Sequence, residues 1–483
     1  MKIPFGGNAV VLGCGAVSRC FLPLLLRHFE MDFHKLTIID LIDAREHIPE
    51  VLAAGANYRQ LQITPENLAE TLNQHLSVGD LLIDLAYNIG AVDIITWCHD
   101  HGVLYINTSV ELWDPYLDME NKPPTERTLY VRHMALRKLK ASWTELGPTA
   151  VVEHGANPGL VSHWTKVALE DMSAAILAGT AVDPQRRAGL EGAVSAGDYA
   201  GIAQLSGVKV IHISERDMQI ANKPKQVNEF VNTWSVEGFY EEGVAPSEMG
   251  WGTHEREFPP GAYVHLYGPG NQICLGRMGI NTFVRSWVPT GEIIGMVVRH
   301  GEAFTLSDYL TVWDGDRPTY RPTVHYAYMP CDAALASLHE LRMTNYDPQP
   351  KIRIMNDEII SGADELGVLL LGHDLNGWWV GSQLDIQEAR QLAPGQSATT
   401  LQVAASVLGA LTWMLKNPNR GICVPEELPH REILAVANPY LGPCPSLQTD
   451  WTPLKNRYEA FGRYGEWHPP EEDVWQFASF LIT

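Results

Sequence analysis

Residues 10–18, Val-Val-Leu-Gly-Cys-Gly-Ala-Val-Ser, constrain this chain more than any other stretch. A short apolar run at residues 8–12 delivers the chain to Gly13-x-Gly15. Apolar residues at helical spacing, Val17, Phe21, Leu24, Leu25 and Phe29, follow at once. The first glycine permits a tight turn. The second removes a Cβ, so the backbone through Gly13, Gly15, Ala16 and Val17 can approach a pyrophosphate at the positive end of the helix. Ser18 stands where the full fingerprint has a third glycine, and it is small enough for close helix–strand packing. Asp40 closes the next apolar run, LTIID, at the point where a carboxylate accepts from the ribose hydroxyls of NAD. Strand, glycines, helix, strand and acid in that order predict a dinucleotide-binding β-α-β unit.

The alternation continues. Strands are expected at Gln62–Pro65, Asp80–Leu85 and Val103–Asn107, with helices running to Leu76 and over Ile94–His101. Continuous apolar strands separated by helices read as a doubly wound parallel sheet with an α/β, Rossmann-type architecture. After about residue 148 the rhythm changes to longer Gly/Pro-rich and aromatic segments, with strand-like runs at Val208–Ser214 and Glu292–Arg299, as in a second domain of α+β type. Residues 398–416 predict a strongly apolar helix, stopped by Asn417-Pro418 and Gly421. The expected units are 1–148, 149–397 and 398–483.

Composition removes several classes of function. With 57 acidic and 35 basic residues, the net charge of −22 argues against nucleic acid, which needs clustered Lys and Arg on its phosphates. The surplus of acid serves solubility or a cationic ligand. Seven widely spaced cysteines contain no C-x-x-C pair, so neither a zinc ribbon nor a redox motif is expected; reduced thiols in a cytoplasmic protein are the simple reading. No signal-peptide pattern opens the sequence, and no apolar stretch is expected to span a membrane. The histidines lack i, i+4 partners, and no metal is assigned.

Candidate chemistry lies in four places. Asn88, Thr108 and Ser109 follow strands that end at the same crevice, where they either bond the nicotinamide ribose and carboxamide or cap strand ends. The loop HGANPG presents Asn157 at a helix N-terminus. NTWSVEGFYEEG joins Trp234 to Glu237, Glu241 and Glu242: either an indole face for an ammonium with carboxylates for charge pairing or, as the bare residues favour, a core Trp beside solvated acids. Its glycines, 238 and 243, suggest a shaped loop, and in an extended stretch Glu241 and Glu242 would point to opposite sides. His300, followed by Glu302, is a proton-transfer candidate near neutral pH.

Together these segments resemble the bacterial homospermidine synthases, within the saccharopine-dehydrogenase-like group. VVLGCGAVSR, YINTSVELW, HGANPGLVSHW, HISERD, NTWSVEGFYEEG, GWGTHE, VRHGEA, DELGVLLLGH and WWVGSQL carry the resemblance, from about residue 8 to about residue 435. Ser18, where the group more often has glycine, and Asn88, where an acid is expected, depart from it on the cofactor side. The resemblance implies NAD as a recycled hydride carrier. Putrescine is oxidised to an imine, ammonia is lost, a second diamine condenses, and the hydride returns to give sym-homospermidine.

By the same resemblance Trp234 stabilises a cationic amine or iminium. Glu215, Glu237, Glu242 and Glu302 hold ammonium ends, with Asp364 as an outer ligand. Asn157, Glu111 and His300 sit near the reacting amine and nicotinamide. A homodimer, and a C-terminal segment packed back on the nucleotide domain, are also implied. Two other functions fit a Rossmann chain. A saccharopine- or carboxynorspermidine-type dehydrogenase would need an arginine clamp for its carboxylate, and the Trp/Glu segment contains no Arg. A non-catalytic NAD-binding protein would need none of this constellation.

Overall fold

The computed structural model describes residues 2–179, 182–457 and 469–482. Its first sheet is parallel throughout and has seven strands. From one edge to the other they are Ile422–Cys423, Ala150–Val151, Leu104–Asn107, Leu81–Asp84, Ala9–Leu12, Leu36–Asp40 and Asn57–Gln60. The winding reverses at Ala9–Leu12: from it the chain first builds outward through Leu36–Asp40 and Asn57–Gln60, then restarts on the other side with Leu81–Asp84. This is the topological switch point, and a crevice opens there beyond the carboxyl ends of the strands. The helix Ala16–His28 leaves that point and buries Cys20, Phe21, Leu22, Leu24 and Leu25 at the 3.6-residue spacing read from the sequence.

Two expectations shift here. Residues 61–64 form no strand; the edge strand is Asn57–Gln60, whose polar, mostly exposed residues pair on one side only and carry no apolar signal. Ala150–Val151 lies just past residue 148, and Ile422–Cys423 joins the same sheet from near the end of the chain.

The second sheet is mixed and has ten strands. At its centre Val210–Asp217 runs parallel to Thr323–Met329 and antiparallel to Ala363–His373. Pairing brings Glu215 opposite Tyr328 and Leu366, and Asp217 opposite Asp364. Side chains alternate along a strand, so Glu215, Asp217, Tyr326, Tyr328 and Asp364 leave the same face of this sheet. That face meets the crevice of the first sheet. The run Glu292–Arg299 is a strand only over Gly291–Met296, and His300 sits in the turn that leads into the helix Glu302–Tyr309.

The helix Ala398–Lys416 is capped by Ser397, whose Oγ accepts from Thr400 N–H. Contrary to the sequence expectation, it is long and apolar enough to cross a membrane, yet it is almost wholly buried inside the protein, where it packs against Ala16–His28 and His430–Ala437. An all-round apolar helix is what the centre of a large core requires. Leu408, fully buried in this helix, is expected to cost about 3 kcal/mol on replacement by Ala, through lost transfer energy and the cavity left behind. A lowered urea midpoint with an unchanged slope would register it.

Candidate active site

The crevice is built on glycine geometry. Gly13 has φ +84°, and a Cβ there would lie 2.7 Å from the Leu85 carbonyl oxygen and 2.9 Å from the Ala86 backbone, so neighbouring strand ends can approach only around glycine. A Cβ on Gly15, the N-cap of the first helix, would meet nothing within 4 Å. The space beside that helix terminus is therefore open, as a diphosphate needs. Ser18 is buried and its Oγ donates to the Gly13 carbonyl at 2.6 Å, tying the loop down. Asp40 accepts from the backbone N–H of Cys14 and, at 2.8 Å, of Ile42, which fixes its carboxylate beside the loop. Asn88 adopts φ +59°, and its Oδ1 is buried with no partner among the described residues. These features fit NAD: a glycine cradle, an acid at the ribose position and an orphaned acceptor beyond it.

From the crevice a cleft holding about 1180 Å3, counted to its open mouth, runs onto the acidic face of the second sheet. Val17, Thr108, Ser109, Glu111 and Asn157 line it from the segments that follow the first sheet's strands; Glu215, Trp234, Glu242 and His300 line it from the second domain. Asn157 Nδ2 donates to Glu215 Oε2 at 3.1 Å, linking the HGANPG loop to the second sheet. Tyr326 also donates to that oxygen. Burial, and then the nearby Asp217 charge, push the Glu215 carboxyl up to about 8, against the lowering effect of Tyr326, His300 and Asn157. Trp234 Nε1 donates to Tyr328 Oη at 3.0 Å, and Tyr328 stacks on Tyr326 with centroids 5.1 Å apart, so the indole plane is set by the sheet.

His300 lies between two carboxylates, with Nδ1 3.2 Å from Glu302 Oε1 and Nε2 3.3 Å from Glu242 Oε2. Burial alone would lower its pKa; Glu302 and Glu242 overcome that and hold it well above the usual histidine value. It is a cation at neutral pH, balanced by its two neighbours.

Several sequence expectations change. The Trp/Glu segment is not a loop: Val236–Val244 is a helix, capped by Ser235 Oγ accepting from Gly238 N–H. Its glycines serve packing, since a Cβ on Gly243 would lie 2.6 Å from Ile280 and one on Gly238 3.2 Å from Trp234. Glu241 and Glu242 are thus successive helical residues. Glu242 faces His300, whereas Glu241 is buried between Arg132 and Arg299. Burial would raise Glu241, but the two guanidiniums hold it well below the usual carboxylate range. The absence of arginine from the segment therefore does not extend to the cleft, which both of these arginines line.

Glu237 is exposed at the first turn of that helix, its carboxylate 3.4 Å from Ser235 Oγ, and it does not line the cleft. Glu302 is fully buried behind His300, with Oε2 lacking a partner among the described residues. Asp364 is buried behind Thr399, whose hydroxyl donates to it and which itself lines the cleft. Burial, Glu215 and Asp217 all raise the Asp364 carboxyl. Glu111 accepts from Ser109 Oγ at 2.7 Å, and burial and Glu241 raise it. Sequence reasoning missed Asp217, Tyr326, Tyr328, Glu153 and the two arginines. Only Asp217 carried a signal, the i, i+2 spacing from Glu215 in HISERD.

Comparison with known proteins adds an independent line. Residues 9–151 match the family model described as the saccharopine dehydrogenase NADP binding domain, and residues 155–444 match the saccharopine dehydrogenase C-terminal domain. A homospermidine synthase from Blastochloris viridis is 42% identical, with 99% of this chain and 97% of that protein covered. One from Mesorhizobium japonicum is 39% identical, covering 99% and 96%. The crystal structure of the Legionella pneumophila homospermidine synthase in complex with NAD superposes with a TM-score of 0.88 at 39% identity, covering 100% of this chain and 99% of that one.

Two substitutions report on this geometry. Gly13→Ala is expected to weaken NAD binding at least about tenfold, as calorimetric titration would measure, because the Cβ forces the loop off Leu85 and Ala86. Glu241→Gln leaves two buried guanidiniums short of countercharge and should cost roughly 3–5 kcal/mol in denaturant unfolding.

Proposed function

This chain belongs to the homospermidine synthase family, and we propose that it joins two putrescine molecules by taking hydride from one and returning it to the joined product. It is an enzyme of that type and uses NAD. NAD, when bound, accepts the hydride from the carbon bearing the first amine and gives it back at the end. Everything else falls to side chains of the cleft. One observation carries the reading: an open dinucleotide crevice runs directly into a cleft whose far wall is Trp234, a histidine between two carboxylates and a face of buried acids.

The substrate is a dication, and the far wall supplies negative charge to replace its hydration. Glu215, with Asp217 and Asp364 behind it, is suited to one ammonium end. Glu242, with Glu302 behind His300, is suited to the other. Trp234, held by Tyr328, offers its ring face to the cationic carbon–nitrogen centre of an iminium. Asn157 ties the cofactor side to Glu215 and limits how the reacting amine can lie between them. His300 holds a proton beside the reacting nitrogens, balanced by Glu242 and Glu302.

Seven free cysteines suit a reducing, cytoplasmic setting. A homodimer belongs to the same reading. Its support is the edge strand Ala262–Val264 and its flank, where Phe258, Tyr263, Leu266 and Tyr267 expose apolar surface.

Purified protein with putrescine and catalytic NAD is expected to give homospermidine by mass spectrometry without net NADH. Stoichiometric NADH with no triamine would overturn the reading. Trp234→Ala and His300→Ala should each lower turnover by about 100-fold or more.

A pH test follows from Glu215. Its carboxyl is raised from the ordinary carboxylate range to about 8, so much of it is protonated at pH 7. The ligand-free protein loses this contribution to stability as pH rises through that range toward 8. An ammonium beside it restores the ionised form, so diamine binding near pH 7 should release a proton. Calorimetric titration in buffers of different ionisation enthalpy would detect the release, and Glu215→Gln should diminish it.

A further inference from the structure

The reaction proposed above borrows protons. A primary ammonium must lose one before hydride can leave its carbon. A second ammonium must lose one before its nitrogen can attack. One proton departs with the released ammonia as ammonium, and the other ends on the secondary amine of the product. Both are on loan together once the second amine attacks, so the cleft needs two places to keep them. Most of its carboxylates have fixed partners, although Glu111, bonded to Ser109, keeps Oε2 unpartnered among the described residues. Glu242 and Glu302 flank His300, Glu241 is held by two arginines, and Glu215 accepts from Tyr326 and Asn157.

Glu153 is different. It lines the cleft from the nucleotide-domain side and is 2% exposed. Its backbone is in the left-handed region at φ +55°, an unfavourable place for a glutamate, and its N–H donates to Asn107 Oδ1 at 2.8 Å at the end of a sheet strand. Its Oε2 pairs with His133 Nε2 at 2.8 Å, and His133 packs against Phe304 of the helix that follows His300. Its Oε1 carries no hydrogen bond to the described residues. The carboxylate lies against Gly301, between His300 and Glu302, so closely that a Cβ on Gly301 would fall 1.8 Å from Oε2. Strained backbone, a buried histidine behind and a glycine in front together hold one carboxylate oxygen toward the cleft, beside the His300 turn. Beyond these, the charged groups lining the cleft around it are Glu111, Glu215, Glu241, Glu242, Arg132 and Arg299.

Resting on the reaction proposed above, we propose that Glu153, backed by His133, is a second proton acceptor of this cleft and serves the amine that is oxidised. The Glu153 carboxylate takes the proton of R–CH2–NH3+, giving R–CH2–NH2 and a neutral carboxyl. Hydride then leaves that carbon, and R–CH=NH2+ forms. When the second amine has added and the first nitrogen departs as NH3, the Glu153 carboxyl returns its proton, releasing NH4+ and regenerating the carboxylate. The proton of the second amine goes to the Glu242 carboxylate beside the protonated His300 and ends on the product nitrogen. Charge and atoms close over the cycle with no outside base.

Glu153→Gln is isosteric and carries the same backbone cost, so it isolates the carboxylate. The expected result is a kcat lowered by about 100-fold or more, with the KM for putrescine and the affinity for NAD within about threefold of wild type. Glu153→Asp should recover part of the rate. Gly301→Ala gives an independent route: Gly301 has φ −63°, which alanine adopts freely, and its Cβ would displace the carboxylate. It should lower kcat in the same way, whatever the stability of Glu153→Gln. Wild-type kcat in both variants, or a loss confined to KM, would overturn the role of Glu153. Wild type that makes no triamine in the same assay would instead overturn the parent reading, and this one with it.

Discussion

Burying carboxylates without enough cations is the constraint on which the rest of this molecule turns. Glu111, Glu153, Glu215, Glu241 and Glu242 line one cleft, against Arg132, Arg299 and His300. A bare carboxylate in such a place would simply take up a proton. The protein answers differently at each position. Glu241 receives two guanidiniums, and Glu242 shares an imidazolium with Glu302. Glu215 receives a phenol and an amide, and Glu153 an imidazole. Glu215, Asp217, Asp364 and Glu111 nevertheless have raised carboxyls. A wall left short of positive charge is complementary to a ligand that brings its own, and a diammonium ion is such a ligand.

The fold supplies this wall by two simple periodicities. Parallel β-α-β winding places strand ends, glycine loop and helix N-terminus at one crevice. Strict alternation in the second sheet places Glu215, Asp217, Tyr326, Tyr328 and Asp364 on one face. The helix Ala398–Lys416 runs beneath both, and Thr399 at its start donates to Asp364 while itself lining the cleft. The chain then returns to the first sheet as Ile422–Cys423 and crosses back to the second as Ser446–Thr449. Cofactor crevice and acid wall are thereby fixed to one buried helix.

The parts legible in the sequence were those governed by local rules. The turn at Gly13, the helix after it, the acid at Asp40 and the helix at 398–416 each follow from glycine tolerance or apolar period, and each stands where those rules put it. The segment around Trp234 was misread because its two glycines suggest a loop. Each is there for a neighbour, Ile280 or Trp234, that only the folded chain brings close. Arg132, Arg299 and Glu153 could not be found in this way. Arg132 and Glu241 stand 109 residues apart, and Glu153 meets Gly301 across the cleft. Nothing local marks a residue whose function depends on a distant partner. The polar edge strand Asn57–Gln60 escaped for the opposite reason, having too little apolar character to show.

The two arginines look out of place in a cleft for a dication, yet the electrostatics require them. Glu111 is raised partly by Glu241, so crowded acids here already compete for protons. Were Glu241 to lose its guanidiniums, burial would push it toward the neutral form. Two guanidiniums against one carboxylate leave this triad one positive charge, and that charge holds down the neighbouring Glu111, which burial and Glu241 raise. The same pair also occupies what would otherwise be a clamp for a carboxylated substrate. Glu241 thus keeps both arginines paired inside the cleft.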